Sequence, residues 1–99
     1  MPSQKPNCNL SLQVVPLNCS DAYDKVDEAI AVIKNAGVKH EVQPFATIME
    51  GPLDELLAIV LKAKEAVFAH GADELLLNIQ IHLKKDQSVS FEEKTAKHR

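Results

Sequence analysis

Arginine is almost missing from this sequence. Of eleven basic residues, only the terminal Arg99 is an arginine. Bidentate gripping of phosphate or carboxylate is mainly arginine work, so an ordered arginine clamp is not expected. Positive charge is scarce altogether. Eleven Lys and Arg against fourteen Asp and Glu leave a net charge of −3. Scattered lysines in an acidic chain do not make the basic stripe that nucleic acid requires. Glycine is as sparse: Gly37, Gly51 and Gly71 stand singly, which excludes a glycine-rich phosphate loop. The two cysteines, Cys8 and Cys19, are not a CxxC pair. They flank a predicted strand that would hold them apart at about 3.3 Å per residue, so neither a bridge nor a metal site is expected of them. His40, His70, His82 and His98 show no HxxxH-type spacing, and no zinc site is expected. No stretch reaches the ~20 apolar residues of a membrane span. Met1 to Asn9 has no apolar leader core, so the cytoplasm is the expected location.

What is present alternates and repeats in a regular order. Ninety-nine residues suffice for one domain, and a chain of this size buries only about 60–70% of its unfolded surface. Asn9 to Val15 alternates apolar and polar residues and stops at Pro16, as a half-buried strand does. Leu10, Leu12 and Val14 face one side, Ser11 and Gln13 the other. Ser20 or Asp21 can cap a helix in which Ala22, Val26, Ala29, Ile30 and Ile33 recur at helical spacing. Gly37 closes it. Val38, His40 and Val42 alternate against Lys39, Glu41 and Gln43, and a second short strand is expected over residues 45–50 after Pro44. Gly51-Pro52 opens the longest helix, residues 53–70, with Leu53, Leu56, Leu57, Val60, Val67 and Phe68 as its buried stripe. Residues 75–83 alternate once more, with Leu75, Leu77, Ile79, Ile81 and Leu83 toward the core. Residues 86–99 are charged, with only Val89 and Phe91 to anchor them, and read as a short helix or a disordered segment.

The order β-α-β-β-α-β, with two right-handed crossovers onto one antiparallel sheet, is the split βαβ or ferredoxin-like α+β architecture. The expected division is a flexible N-terminus at 1–8, a ligand-binding domain at 9–85 and a tail at 86–99. Both helices pack on one face of the sheet. By alternation the uncovered face carries Ser11, Gln13, Glu41, Gln43, Phe45, Thr47, Met49, Leu76, Asn78, Gln80 and His82. It is amide-rich, partly apolar and poor in charge. Such a face suits contact between copies of the chain, as a homodimer or homotetramer. It also suits a pocket in which amides and hydroxyls surround a polar heterocycle.

Particular runs carry a resemblance. They are Ser11-Leu12-Gln13-Val14-Val15-Pro16-Leu17, Val26-Asp27-Glu28-Ala29-Ile30 on the first helix, and Ala66 to Gly71 closing the second. The most specific is Glu41-Val42-Gln43-Pro44-Phe45-Ala46-Thr47-Ile48-Met49-Glu50-Gly51. Over residues 9–84 the chain resembles the small thiamine-binding protein family. That resemblance implies a ferredoxin-like subunit in dimers or tetramers, which binds thiamine or its hydroxymethylpyrimidine portion without catalysis. An aminopyrimidine needs an acceptor for its exocyclic amine, a donor for a ring nitrogen and an apolar wall. Ser11, Gln13, Thr47 and Asn78 can supply hydroxyl and amide groups. Glu50 can pair with the amine or with a thiazolium charge, and Phe45 with Met49 can form the wall. The same residues have plainer readings: cross-strand hydrogen bonds for Gln13 and Asn78, interface packing for Phe45, a solvated turn for Glu50. A regulatory module for another metabolite, such as an amino acid, is the alternative function. An acylphosphatase-like enzyme on this fold would need an arginine in an early phosphate loop, and none is there.

Overall fold

The computed structural model describes residues 5–98. The start of the segment expected to be a flexible N-terminus, residues 1–4, lies outside the described residues, as does Arg99. Strand β1 spans Asn7–Pro16, helix α1 Ala22–Asn35, β2 Lys39–Val42, β3 Thr47–Pro52, α2 Leu53–Ala69 and β4 Leu75–His82. A short helix, α3, follows at Phe91–Thr95 and runs into a 3₁₀ turn at Ala96–His98. The sheet order is β2-β3-β1-β4, with every neighbouring pair antiparallel. Helix α1 therefore crosses from β1 past β3 to β2, and α2 from β3 past β1 to β4. This is the ferredoxin-like α+β fold.

The helices exist because their apolar residues line up at three- and four-residue steps. Ala29 and Ile33 of α1 and Leu56, Val60, Ala63 and Val67 of α2 are all buried. They close on Leu10, Leu12 and Met49 from the sheet, of which Leu10 and Met49 lose all exposure. Burying each of the larger of these side chains, the Leu, Ile, Val and Met, stabilises the fold by about 1.5–3 kcal/mol. Lys25 joins this inner face of α1. Its stem is covered while its ammonium sits 2.6 Å from the Asp21 carboxylate one turn back. Gly51 is needed where β3 meets α2: a Cβ there would lie 3.2 Å from Val38 Cγ2 and 3.3 Å from Leu56 Cδ2. Gly71 follows helix α2 as a left-handed residue, φ 101°, a conformation that a side chain would strain.

The strands hold one surprise of phase. The register pairs Leu10 with Met49, Leu12 with Thr47, Ser11 with Ile48 and Asn9 with Glu50. Directly opposite residues of an antiparallel pair share a face. Thr47 and Met49 therefore stand on the helix side, 5% and 0% exposed, and not on the uncovered face where alternation from Glu41 would put them. Ile48 and Glu50 take that face instead. The reason is the length of the connection. Four residues, Gln43 to Ala46, separate the paired Val42 and Thr47, in a turn closed by the Gln43 amide donating to the Ala46 carbonyl at 2.9 Å. A four-residue loop sets odd-numbered residues of β2 opposite even-numbered residues of β3, which flips the phase. On β4, Leu75 and Leu77 pack against the core. Ile79 and Ile81 point to the same side but remain 42% and 37% exposed at the sheet edge.

The tail returns across the face that the helices leave open. The Val89 amide donates to the Asn7 carbonyl at 2.9 Å, and Asn9 Nδ2 donates to the Val89 carbonyl at 3.2 Å. Ser90 caps α3 with a reciprocal capping box to Glu93. The Phe91 amide donates to Glu50 Oε1 at 2.7 Å. Val89 and Phe91 are buried, and the Lys39 ammonium stands 5.2 Å from the centre of the Phe91 ring. Lys84 beside Glu93, together with the Ser90 amide, holds the Glu93 carboxyl below the usual carboxylate range. The strap formed by residues 87–98 thus roofs one end of the sheet.

The phase of β3 is testable by stability. Met49→Ala should cost about 2–5 kcal/mol, the range for emptying a packed site, whereas Ile48→Ala, on the half-buried face, should cost under half as much. Urea unfolding of both variants decides it, and the reverse order would contradict the register.

Candidate functional site

Strand β1 continues past the start of β3. Its last β3 partner is Thr47, opposite Leu12, so Gln13 and Val14 border a gap in the sheet. Helix α1 and the tip of the β2–β3 hairpin close round this gap. The result is a helix-side cleft of about 300 Å³ lined by Gln13, Thr47 and Phe45, by Tyr23 and Asp27 from α1, and by the apolar Ile30 and Ile33. Thr47 lies buried at its base, while Phe45 and Tyr23 stand 82% and 89% exposed at its rim. Two large aromatic side chains at one rim offer a ligand flat apolar faces. Asn78 Nδ2 donates to Gln13 Oε1 at 2.9 Å. That bond occupies the Gln13 carbonyl and orients its NH₂ as the group left to donate. One small volume thus gathers an amide donor, a hydroxyl, a carboxylate and two rings. No basic side chain is among the described residues that line it.

A second cleft, of about 440 Å³, lies on the opposite face between the sheet and α3. Asn9, Ser11, Ile48 and Gln80 form its floor, and Phe91 and Lys94 its wall. The two clefts share β1, with Leu12 and Gln13 at one and Asn9 and Ser11 at the other.

The residues expected to form one site are therefore divided. Gln13, Phe45 and Thr47 come together in the helix-side cleft. Asn78 reaches it only through Gln13. Ser11 lies in the sheet-face cleft. Glu50 lines neither. Its carboxylate accepts from the Phe91 amide and stands 3.7 Å from Lys39, so it anchors the strap. Met49, the expected wall, is core. Tyr23 and Asp27 were not expected at a site. They sit four apart on α1 and thus on one helix face, but helical spacing alone cannot tell such a pair from an ordinary solvated face.

Several other polar groups have structural partners. Lys25 holds the Asp21 carboxyl below its ordinary range, and Lys5 does the same for Asp54. Burial pushes the Cys8 thiol up, which disfavours the reactive thiolate. Both cysteines are free. His40 Nδ1 lies 2.9 Å from the Val38 carbonyl. Among the described residues no group of three or more His, Cys, Asp or Glu side chains is placed to hold a metal ion. No helix among them is long and apolar enough to cross a membrane.

Fold and clefts together define a ferredoxin-like domain that presents small, mixed amide, hydroxyl and aromatic cavities on both sides of its central strand. The chain belongs to the thiamine-binding protein family, which it matches over residues 10–99. It is 42% identical over 93 residues to a UPF0045 protein of Clostridium perfringens, covering 93% of this chain and 97% of that one. A Bacillus cereus structure described as a domain of unknown function, DUF77, superposes with a TM-score of 0.90 at 38% identity, over 95% of this chain and 91% of that one. A Thermotoga maritima protein, provisionally assigned to thiamine biosynthesis or salvage, superposes with a TM-score of 0.86 at 30% identity, over 95% and 100% of the two chains.

If the rim aromatics serve a ligand and not the fold, their removal should leave stability alone. Tyr23→Ala and Phe45→Ala should each unfold within about 0.5 kcal/mol of the parent, the range for exposed positions. A loss of several kcal/mol in thermal or urea unfolding would assign them to packing instead.

Proposed function

We propose that this chain binds thiamine, or its hydroxymethylpyrimidine portion, in the helix-side cleft, and that it does so without converting the ligand. The observation that carries this reading is the convergence of Gln13, Asp27 and Thr47 with two exposed rings in one cleft of about 300 Å³. An aminopyrimidine presents an exocyclic amine, ring nitrogens and a flat apolar face. The Asp27 carboxylate suits the amine, the Gln13 NH₂ and the Thr47 hydroxyl suit the ring nitrogens, and Phe45 and Tyr23 suit the faces. The description of the family and the provisional assignment of the Thermotoga protein point the same way. Among the described residues the lining has no basic group to hold a diphosphate, so the free vitamin should bind at least as well as its diphosphate.

The chain is further proposed to assemble with copies of itself in the cytoplasm. Strand β4 is an edge of the sheet, and it leaves Leu76, Ile79 and Ile81 between 37% and 49% exposed. An open edge with apolar side chains is a template for pairing. Sedimentation at micromolar concentration should show a dimer or tetramer. A clean monomer would remove this part of the reading.

Calorimetric titration with thiamine tests the site. Gln13→Ala, Asp27→Asn and Thr47→Val should each weaken binding about ten- to a hundredfold, the cost of one lost hydrogen bond to a charged or buried group. Ser11→Ala, in the other cleft, should leave the affinity unchanged. A parent chain that binds no thiamine would refute the ligand. A parent that binds it, with all three variants unaffected, would refute the cleft.

A further inference from the structure

We infer that the sheet-face cleft beneath α3 is a second ligand site, built for a small zwitterion of the α-amino-acid type with an apolar side chain. It opens on the other side of the sheet from the proposed thiamine site, with Gln43 bordering both clefts, and does not rest on that reading.

The first observation is an orphaned acceptor. Asn9 lines this cleft and is 5% exposed. Its Nδ2 is committed to the Val89 carbonyl, but its Oδ1 is sealed from solvent with no donor. Buried polar atoms almost always have a partner, so an orphan in a cleft wall marks a place for one. The partner must bring an N–H or O–H. An ammonium brings three and forms the stronger, charge-assisted bond.

The second observation is the charge and polarity of the remaining wall. Among the described residues of the lining, Glu41 contributes a carboxylate, Lys94, on α3, an ammonium and His82 an imidazole. Lys94 is the one lysine among the described residues that line the cleft, which is no cluster for a polyanion. A ligand with one charge of each sign matches the cleft, with its ammonium toward Asn9 and its carboxylate toward Lys94, while Glu41 stands two strands from Asn9 at the far side of the cleft. Gln80 adds a carboxamide that can bond either end. Ile48 and Phe91 also line the cleft and offer a wall for an aliphatic or aromatic side chain. The volume, about 440 Å³, falls in the range of small-molecule sites.

The third observation is the means of entry. The roof is a helix of only five residues. Its outer side is tied down by ion pairs from Lys39 to Glu92 at 2.5 Å and from Lys84 to Glu93 at 3.0 Å, with all four side chains 38–59% exposed. Exposed pairs of this kind hold weakly. A small shift of α3 gives an ammonium access to Asn9 Oδ1, and the bond formed there in turn favours the closed strap.

The test is calorimetry on the full chain with leucine and phenylalanine at up to millimolar concentration. Isoamylamine and isovalerate serve as controls carrying one charge each. At least one of the two amino acids should bind, and each control at least tenfold more weakly. Lys94→Met, on an exposed helix face, and Gln80→Ala should each weaken amino-acid binding about tenfold while leaving thiamine affinity unchanged. Thr47→Val should do the opposite, which separates this inference from the thiamine reading. Asn9→Leu is the direct variant, but it also removes the tie to Val89, so the two surface variants carry the test. Failure of both amino acids to bind, a control as strong as its parent amino acid, or parental binding by both Lys94→Met and Gln80→Ala would each overturn the proposal.

Discussion

Strand β1 is hydrogen-bonded on both sides, to β3 along Asn7–Leu12 and to β4 along Asn9–Pro16, and the rest of the molecule depends on that double pairing. A strand flanked on both sides has its pleat fixed twice over, because a slip of one residue against either neighbour would turn its apolar set to water. Leu10 and Leu12 are thereby held under the two helices, Asn9 and Ser11 are held on the reverse, and Gln13, beside Asn78, borders the helix-side cleft where β3 ends. The offset between the two pairings matters as much. β3 stops opposite Leu12 while β4 continues to Pro16. This offset leaves the gap at Gln13 that α1 and the hairpin tip enclose. At the other end, Asn7 and Asn9 tie down the returning strap and so create the second cleft. Both clefts are consequences of where one strand gains and loses its partners.

The architecture was legible because its signals are periodic. Alternation at residues 9–15 and 75–83, three- and four-residue steps in both helices, and single glycines at element ends lead to βαββαβ. The phase of β3 was not legible. In Thr47-Ile48-Met49-Glu50 both alternating sets mix apolar with polar, so hydrophobic pattern does not choose between them. The choice is made by the four-residue hairpin loop and by the contact of Met49 with the helices. The exposure of Ile79 and Ile81 was hidden for a related reason: alternation says which side a residue faces, but not whether a helix covers that side at a sheet edge.

The candidate site was legible in part. Gln13, Phe45 and Thr47 meet in one cleft, although Thr47 enters it from the core side. Glu50 and Asn78 have chemistry suited to a ligand, yet the structure shows Glu50 binding the strap and Asn78 fixing Gln13. Asp27 and Tyr23 carried no local signal, because what selects them is the packing of α1 against β1 beside the tip of the β2–β3 hairpin. The fold of the strap was equally out of reach. Val89 and Phe91 are two apolar residues in a charged tail, and nothing in their neighbours says that Asn7, Asn9, Lys39 and Glu50 receive them.

The central claim is that the ligand of this chain sits where β1 outruns β3. The most direct measurement is a two-dimensional amide NMR titration of the isotope-labelled chain with thiamine. The account predicts that the largest shifts fall at Gln13, at Tyr23 to Ile30 and at Phe45 to Thr47, while Gln80 and Phe91 to Thr95 stay in place. Shifts concentrated at Gln80 and along α3, with α1 silent, would contradict it.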